Sequence, residues 1–235
     1  MSNVAGAKAS REEKIAFLAL EQVLGVDIKL ADAGAGDKKP DGSWVYADGQ
    51  ERRGIVEVTS PPATRLMGEW ARAKKAGQPQ TEAGSIPLRW NELAQVCAEM
   101  LAEDWARENL NKLLAQSADE RHLFLFARGH GEGAHYFYRL SDSYDDGISE
   151  QVDDLILPHG ISDVWFRGRA RWNHDQPLGA KEIWLARFQA ESGWRRYVVS
   201  IEERHLPPPN PSIADDRAPA GWRIPKDRAM ELVGD

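Results

Sequence analysis

The sequence predicts a mixed α/β protein with a β-rich C-terminal part, and three observations carry that expectation. A hydroxyl-capped amphipathic helix opens the pattern near residue 10. Three short β-rich segments separated by glycine turns follow it. A long helical stretch then leads into further segments of period two. Composition agrees: 235 residues suit one large domain, or a core with a smaller appendage, and 42% apolar residues with nine tryptophans suffice for a well-filled core.

The first helix is expected to start at Ser10-Arg11-Glu12-Glu13, where a hydroxyl N-cap precedes a carboxylate by three residues. Its apolar residues Ile15, Phe17, Leu18, Ala19, Leu20, Val23 and Leu24 cover a wide arc, so both sides should be packed, and Gly25 is placed to end it. Val26 to Leu30 alternates at period two. Ser43 to Tyr46 and Gly54 to Thr59 are β-rich, and Ser60-Pro61-Pro62 stops the last of them because proline cannot donate to a ladder. Residues 63 to 86 are polar. One helix of roughly seven turns is expected from Pro87 through Leu114. His122 to Ala127 and His135 to Tyr138 then read as two strands around a glycine-rich hairpin tip, Arg128 to Gly133. Residues 141 to 163 hold seven acids and no Lys or Arg, as in a solvated connector. Asp163 to Phe166, Glu182 to Phe188 and Tyr197 to Ile201 read as strands, and Pro207-Pro208-Pro209 begins an extended tail.

Charge and cysteine content narrow the function classes. Acids outnumber bases 37 to 30, so the field of the whole molecule repels nucleic acid and any contact with phosphate must be local. The single cysteine, Cys97, excludes an internal disulfide. No secretory pattern opens the chain, and no stretch approaches the roughly 20 apolar residues of a membrane span. A cytoplasmic protein is expected, with no membrane contact.

The most specific chemical pattern is Lys39-Pro40-Asp41 followed by Glu57-Val58-Thr59 on a buried-looking strand. It brings two carboxylates to the same end of adjacent strands, where they can hold a hard divalent cation with positions left for water and a phosphate. Alternation places Glu57 with Ile55 on one face and Val56 with Val58 on the other, so an acid interrupts an apolar segment and requires a partner or a metal. The plainer reading, an acid in an Asp-Gly turn and a salt-bridged glutamate, stands beside it. Glu21, among Phe17, Leu18 and Leu24 on the first helix, either points to the same site or is an acid near a helix end.

Two other features have weaker chemistry. His130 and His135 supply two ligands of the four a structural zinc site needs, with the cysteine far away, so a hairpin tip is the better reading. The glycines from 129 to 133 lack the Gly-Lys-Ser/Thr ending of a phosphate-binding loop. For nucleic acid, Arg167, Arg169 and Arg171 share one face if the segment stays extended, although alternating charge also protects an edge strand. A second local basic excess includes Arg65, Arg72, Lys74 and Lys75.

Residues 10 to about 128 resemble the PD-(D/E)xK nuclease superfamily in element order: a helix with an acid, a strand with Pro-Asp, a strand with Glu-x-Lys, a long helix, another strand. The resemblance implies a restriction-endonuclease-like mixed-sheet core over residues 1–140. A β-rich extension over 141–206 would pack on that core, followed by a Pro-rich extended tail over 207–235. It implies Asp41 and Glu57 as ligands of magnesium, with manganese as substitute, and Glu21 as the helix acid. Thr59 stands where the resemblance calls for a lysine, and a hydroxyl cannot supply positive charge to an electrostatically stabilised transition state. Lys38, Lys39, Lys74 and Lys75 are sequence neighbours of the motif, and none is identifiable as its replacement. The chain also looks like a group of uncharacterised bacterial proteins with Glu-x-Thr in that strand, through His122 to Leu125, Leu157-Pro158-His159-Gly160 and Val164-Trp165. The implied function is metal-dependent phosphodiester hydrolysis on DNA. The alternative is an inactive descendant of the fold that binds or assembles, with a protein partner or a second copy of itself.

Overall fold

The computed structural model describes residues 9–31, 39–62, 72, 75–77, 88–127, 132–141, 152–172, 180–207 and 230–232. Helix α1 (Arg11–Leu24) begins as its sequence dictates: the Ser10 hydroxyl accepts from the Glu13 backbone N–H, and the Glu13 carboxylate accepts from the Ser10 N–H. Gly25, left-handed at φ 67°, ends it. Residues Ile15 to Gln22 are all buried, which fits an apolar arc too wide for a surface helix.

One mixed sheet runs in chain order through β1 (Lys29–Leu30), β2 (Gly42–Val45), β3 (Arg53–Thr59), β4 (Glu120–Phe126), β5 (Asp163–Trp172), β6 (Ala180–Gln189) and β7 (Gly193–Glu202). A short β8 (Met230–Leu232) extends it. The two central pairings, β3 with β4 and β4 with β5, are parallel and the rest antiparallel. Parallel neighbours need crossovers. The first carries α2 (Leu93–Ala102) and α3 (Asp104–Leu114), and the second carries α4 (Glu132–Ser141).

Strand alternation sorts the core into two layers. Val56, Phe124, Trp165 and Leu185 face α1, together with Tyr197, Val199 and Ile201 of β7. Ile55, Leu123, Leu125, Val164, Phe166, Ala186 and Phe188 face α2, α3 and α4. Among the described residues no helix is long and apolar enough to cross a membrane.

Several expectations are corrected. The single long helix is two. Glu103 is extended at φ −69°, ψ 154°, and separates α2 from α3. The cause is phase: a straight continuation of the Leu93, Val96, Met100 stripe would bury Asp104, Arg107 and Asn111. The break rotates the second helix so that Ala106, Leu110 and Leu113 meet the sheet instead. The predicted strand His135 to Tyr138 is helix α4, with Ala134, Tyr136, Phe137 and Leu140 buried at helical spacing. A four-residue aromatic run fits either period, and the parallel pairing of β4 with β5 leaves no place for a hairpin partner there. The first predicted strand shrinks to Lys29–Leu30, with Val26 and Ile28 buried before it. Of the expected Pro-rich extended tail, Met230–Leu232 adds a strand to β7, while residues 208–229 and 233–235 lie outside the described residues.

A carboxylate pair met by a lysine from a helix

Asp41 directly precedes β2, and Glu57 lies in the antiparallel partner β3. The Asp41 Oδ2 accepts from the Val58 backbone N–H at 2.7 Å, which fixes the first carboxylate against the strand carrying the second. As alternation requires, Glu57 points with Ile55 toward the α3 layer. Both acids are buried, at 8% and 5% exposure.

The counter-charge comes from α3. Lys112 Nζ lies 2.9 Å from Glu57 Oε1 and 3.9 Å from Asp41 Oδ1. One turn earlier, Asn109 Nδ2 donates to the Thr59 hydroxyl at 3.2 Å and to the Trp105 carbonyl at 2.6 Å. Trp105, Asn109 and Lys112 therefore form one stripe at spacings of four and three, beside the apolar stripe that seats the helix. Of the two Glu57 oxygens, only Oε1 meets the ammonium; Oε2 is buried without a hydrogen-bond partner. Burial, and then repulsion from Asp41, push the Glu57 carboxyl up to about 7, against the opposing pull of Lys112. Two buried carboxylates that share the Lys112 ammonium, with one Glu57 oxygen unsatisfied, present a donor set of hard oxygens that fits a divalent cation.

Compared with protein-family models, with curated proteins and with solved structures, the chain matches none.

The structure brings together three of the expected residues, Asp41, Glu57 and Thr59, and adds Asn109 and Lys112. Glu21 is buried on α1, and its Oε1 accepts from the Ile28 backbone N–H at 2.8 Å, holding the turn after Gly25. Arg167 is engaged by Glu12 of α1 and lies over the Phe126 ring. A bulge between Arg167 and Ala170 interrupts the alternation that would set the three arginines on one face. The side chains of Arg169 and Arg171 lie outside the described residues, as do Lys38, Arg65, Lys74 and residues 128–131 of the expected hairpin tip, His130 among them; Glu132 and Gly133 of that tip open α4 instead. Arg72, Lys75 and Lys39 are exposed. No group of three His, Cys, Asp or Glu side chains is placed to hold a metal among the described residues, so the two acids would need water or substrate oxygens to complete a shell.

A second polar cluster lies on the α1 side. Fully buried His122 accepts from Trp165 Nε1 at 3.1 Å on Nδ1, which leaves its Nε2 proton directed at Glu120 Oε2, 3.3 Å away. Tyr46 also donates to Glu120, and these bonds, His122 first, hold the Glu120 carboxyl down at about 2. Asp163 Oδ1 accepts from Arg187 Nε at 2.6 Å, and Arg187 lies over the Trp165 ring. This network ties the starts of β4 and β5 to β6 and reads as structural.

The sequence does not reveal Lys112, because it lies 55 positions from Glu57 and in a helix whose phase is hidden by the break at Glu103. The usable signal was the stripe Trp105, Asn109, Lys112 bordering Ala106, Leu110 and Leu113, visible only once α3 is taken as a separate helix.

Proposed function

We propose that the protein is a metal-dependent phosphodiesterase of the restriction-endonuclease-like type acting on DNA, with Asp41 and Glu57 as ligands of magnesium or manganese. The observation that carries this reading is the buried carboxylate pair at the end of β2 and β3, with one Glu57 oxygen unpaired and an ammonium within reach. A bound divalent cation would neutralise phosphate charge and acidify a water. The chain's own residues do the rest. Asp41, tied to Val58, and Glu57 present oxygens at fixed separation. Lys112 supplies the cation that Thr59 lacks, from a helix rather than from the strand. Asn109 bonds Thr59 and so sets the height of α3 over β3. The sequence after β3 is locally basic, and Arg72 and Lys75 within it are exposed and of a type suited to a phosphate backbone.

Calorimetry with Mg²⁺ and Mn²⁺ on wild type and Asp41→Ala, paired with cleavage assays on single- and double-stranded DNA, tests the proposal. Binding lost in Asp41→Ala and metal-dependent cleavage by the wild type are expected; neither binding nor cleavage by the wild type refutes it.

The second reading, a binding or assembly module without catalysis, is favoured by a specific observation: Lys112 already pairs with Glu57, and Arg167 is consumed by Glu12. On that reading the site is an internal ion pair.

A further inference from the structure

We propose that Lys112 is a built-in stand-in for the divalent cation: it occupies the carboxylate pair in the metal-free protein and must yield when a cation binds, so it sets how tightly the site holds metal. The inference rests on reading Asp41 and Glu57 as a cation site and goes beyond it by assigning the regulation of that site to one side chain.

The geometry argues for competition. The ammonium reaches toward both acids at once, 2.9 Å from Glu57 Oε1 and 3.9 Å from Asp41 Oδ1. One oxygen of each carboxylate therefore faces the ammonium, and a hard cation bridging the two acids would come within repulsive range of it in a poorly hydrated site. The charge balance argues that the ammonium is an incomplete occupant. Two carboxylates share the Lys112 ammonium, and Glu57 Oε2 is buried with no hydrogen-bond partner. A divalent ion would match both charges, whereas a lysine matches one.

The side chain is also built to move. Lys112 is on the last turn of α3, its side chain 22% exposed, with a flexible four-carbon stem that can carry the ammonium toward solvent or an incoming anion while the helix stays seated. Leu110 and Leu113 hold that helix on the sheet independently of Lys112, and Asn109 fixes its height through Thr59. Removing the charge should therefore vacate the site without displacing its walls.

The test is Mn²⁺ affinity of the full chain by calorimetry at pH 8.5, with circular dichroism as the check of fold. Lys112→Met and Lys112→Gln should each bind Mn²⁺ about tenfold or more tightly than wild type, because a competing charge is gone. Lys112→Arg should stay within a few-fold of wild type. Saturating Mn²⁺ should also raise the melting temperature of Lys112→Met more than that of wild type, since the metal-free variant leaves Glu57 without its counter-ion. The Gln variant decides if the Met variant fails to fold. Wild type that binds Mn²⁺ while both neutral variants bind equally or more weakly would overturn the competition and leave the cation site standing. Absence of binding in wild type and in both neutral variants would overturn the cation site as well.

Discussion

At the residue scale the site turns on Glu57, whose proton is held up to about 7 by burial and by Asp41. A cation ligand must be ionised, so Mn²⁺ affinity should fall about tenfold per pH unit below 7 and level off above it. Affinity measured from pH 5.5 to 8.5 checks this, and a curve flat across that range refutes the assignment. Stability runs the other way. The folded pKa lies above the unfolded value near 4.5, so the folded state binds more protons between those limits, and the contribution of Glu57 to stability declines as pH rises from about 4.5 through 7. In metal-free urea titrations, the stability of Glu57→Gln relative to wild type should therefore shift in favour of the variant between pH 5 and pH 8. Asp41 differs from Glu57 in its role as well as its position: its carboxylate also braces the Val58 N–H, so Asp41→Ala removes a charge-assisted hydrogen bond together with the proposed ligand.

At the element scale, what aims the carboxylates is the close fit of β2, β3 and α3. Gly54 in β3 lies opposite Trp44 in β2, and a Cβ there would stand 2.2 Å from the indole. Gly54→Ala should cost about 1–3 kcal/mol of stability by overpacking, read from urea denaturation, and should lower Mn²⁺ affinity as well because the β2–β3 spacing changes. An unchanged midpoint would show that Trp44 repacks freely. Asn109 does for α3 what Gly54 does for the strands. Asn109→Ala should cost about 1 kcal/mol, leave the helix content intact, and loosen the placement of Lys112 through loss of the Thr59 bond.

At the scale of the whole molecule, the sheet does not divide where composition changes. β4 takes β5 as a parallel neighbour, and both core layers draw on the C-terminal half, through Trp165, Leu185 and Val199 on one face and Phe166 and Phe188 on the other. Residues 1–140 alone should not fold cooperatively; circular dichroism melting and gel filtration of that fragment check it, and a sharp melt of a monodisperse monomer would show two independent units. Within the C-terminal half, the Asp163–Arg187 pair ties β5 to β6. Asp163→Ala leaves a largely buried guanidinium uncompensated and should cost about 3–5 kcal/mol, measured by denaturant unfolding.

The local sequence by itself determined the cap and stop of α1, the β2 and β3 segments, the pairing of Asp41 with Glu57, and the face to which Glu57 points. Each of these follows from residues within a few positions of one another, from the strict period of two in a strand, or, for Asp41 and Glu57, from two successive β-rich segments close enough in the chain to pair. Only the tertiary structure decided that the Pro87 to Leu114 stretch is two helices, that His135 to Tyr138 is helical, and that β8 returns to β7. It alone decided that the positive charge beside the carboxylates comes from Lys112. Helix phase and crossover geometry depend on what the sheet leaves to be covered. A contact between positions 57 and 112 exists only because a parallel crossover carries α3 back over β3, and no spacing rule along the chain encodes that distance.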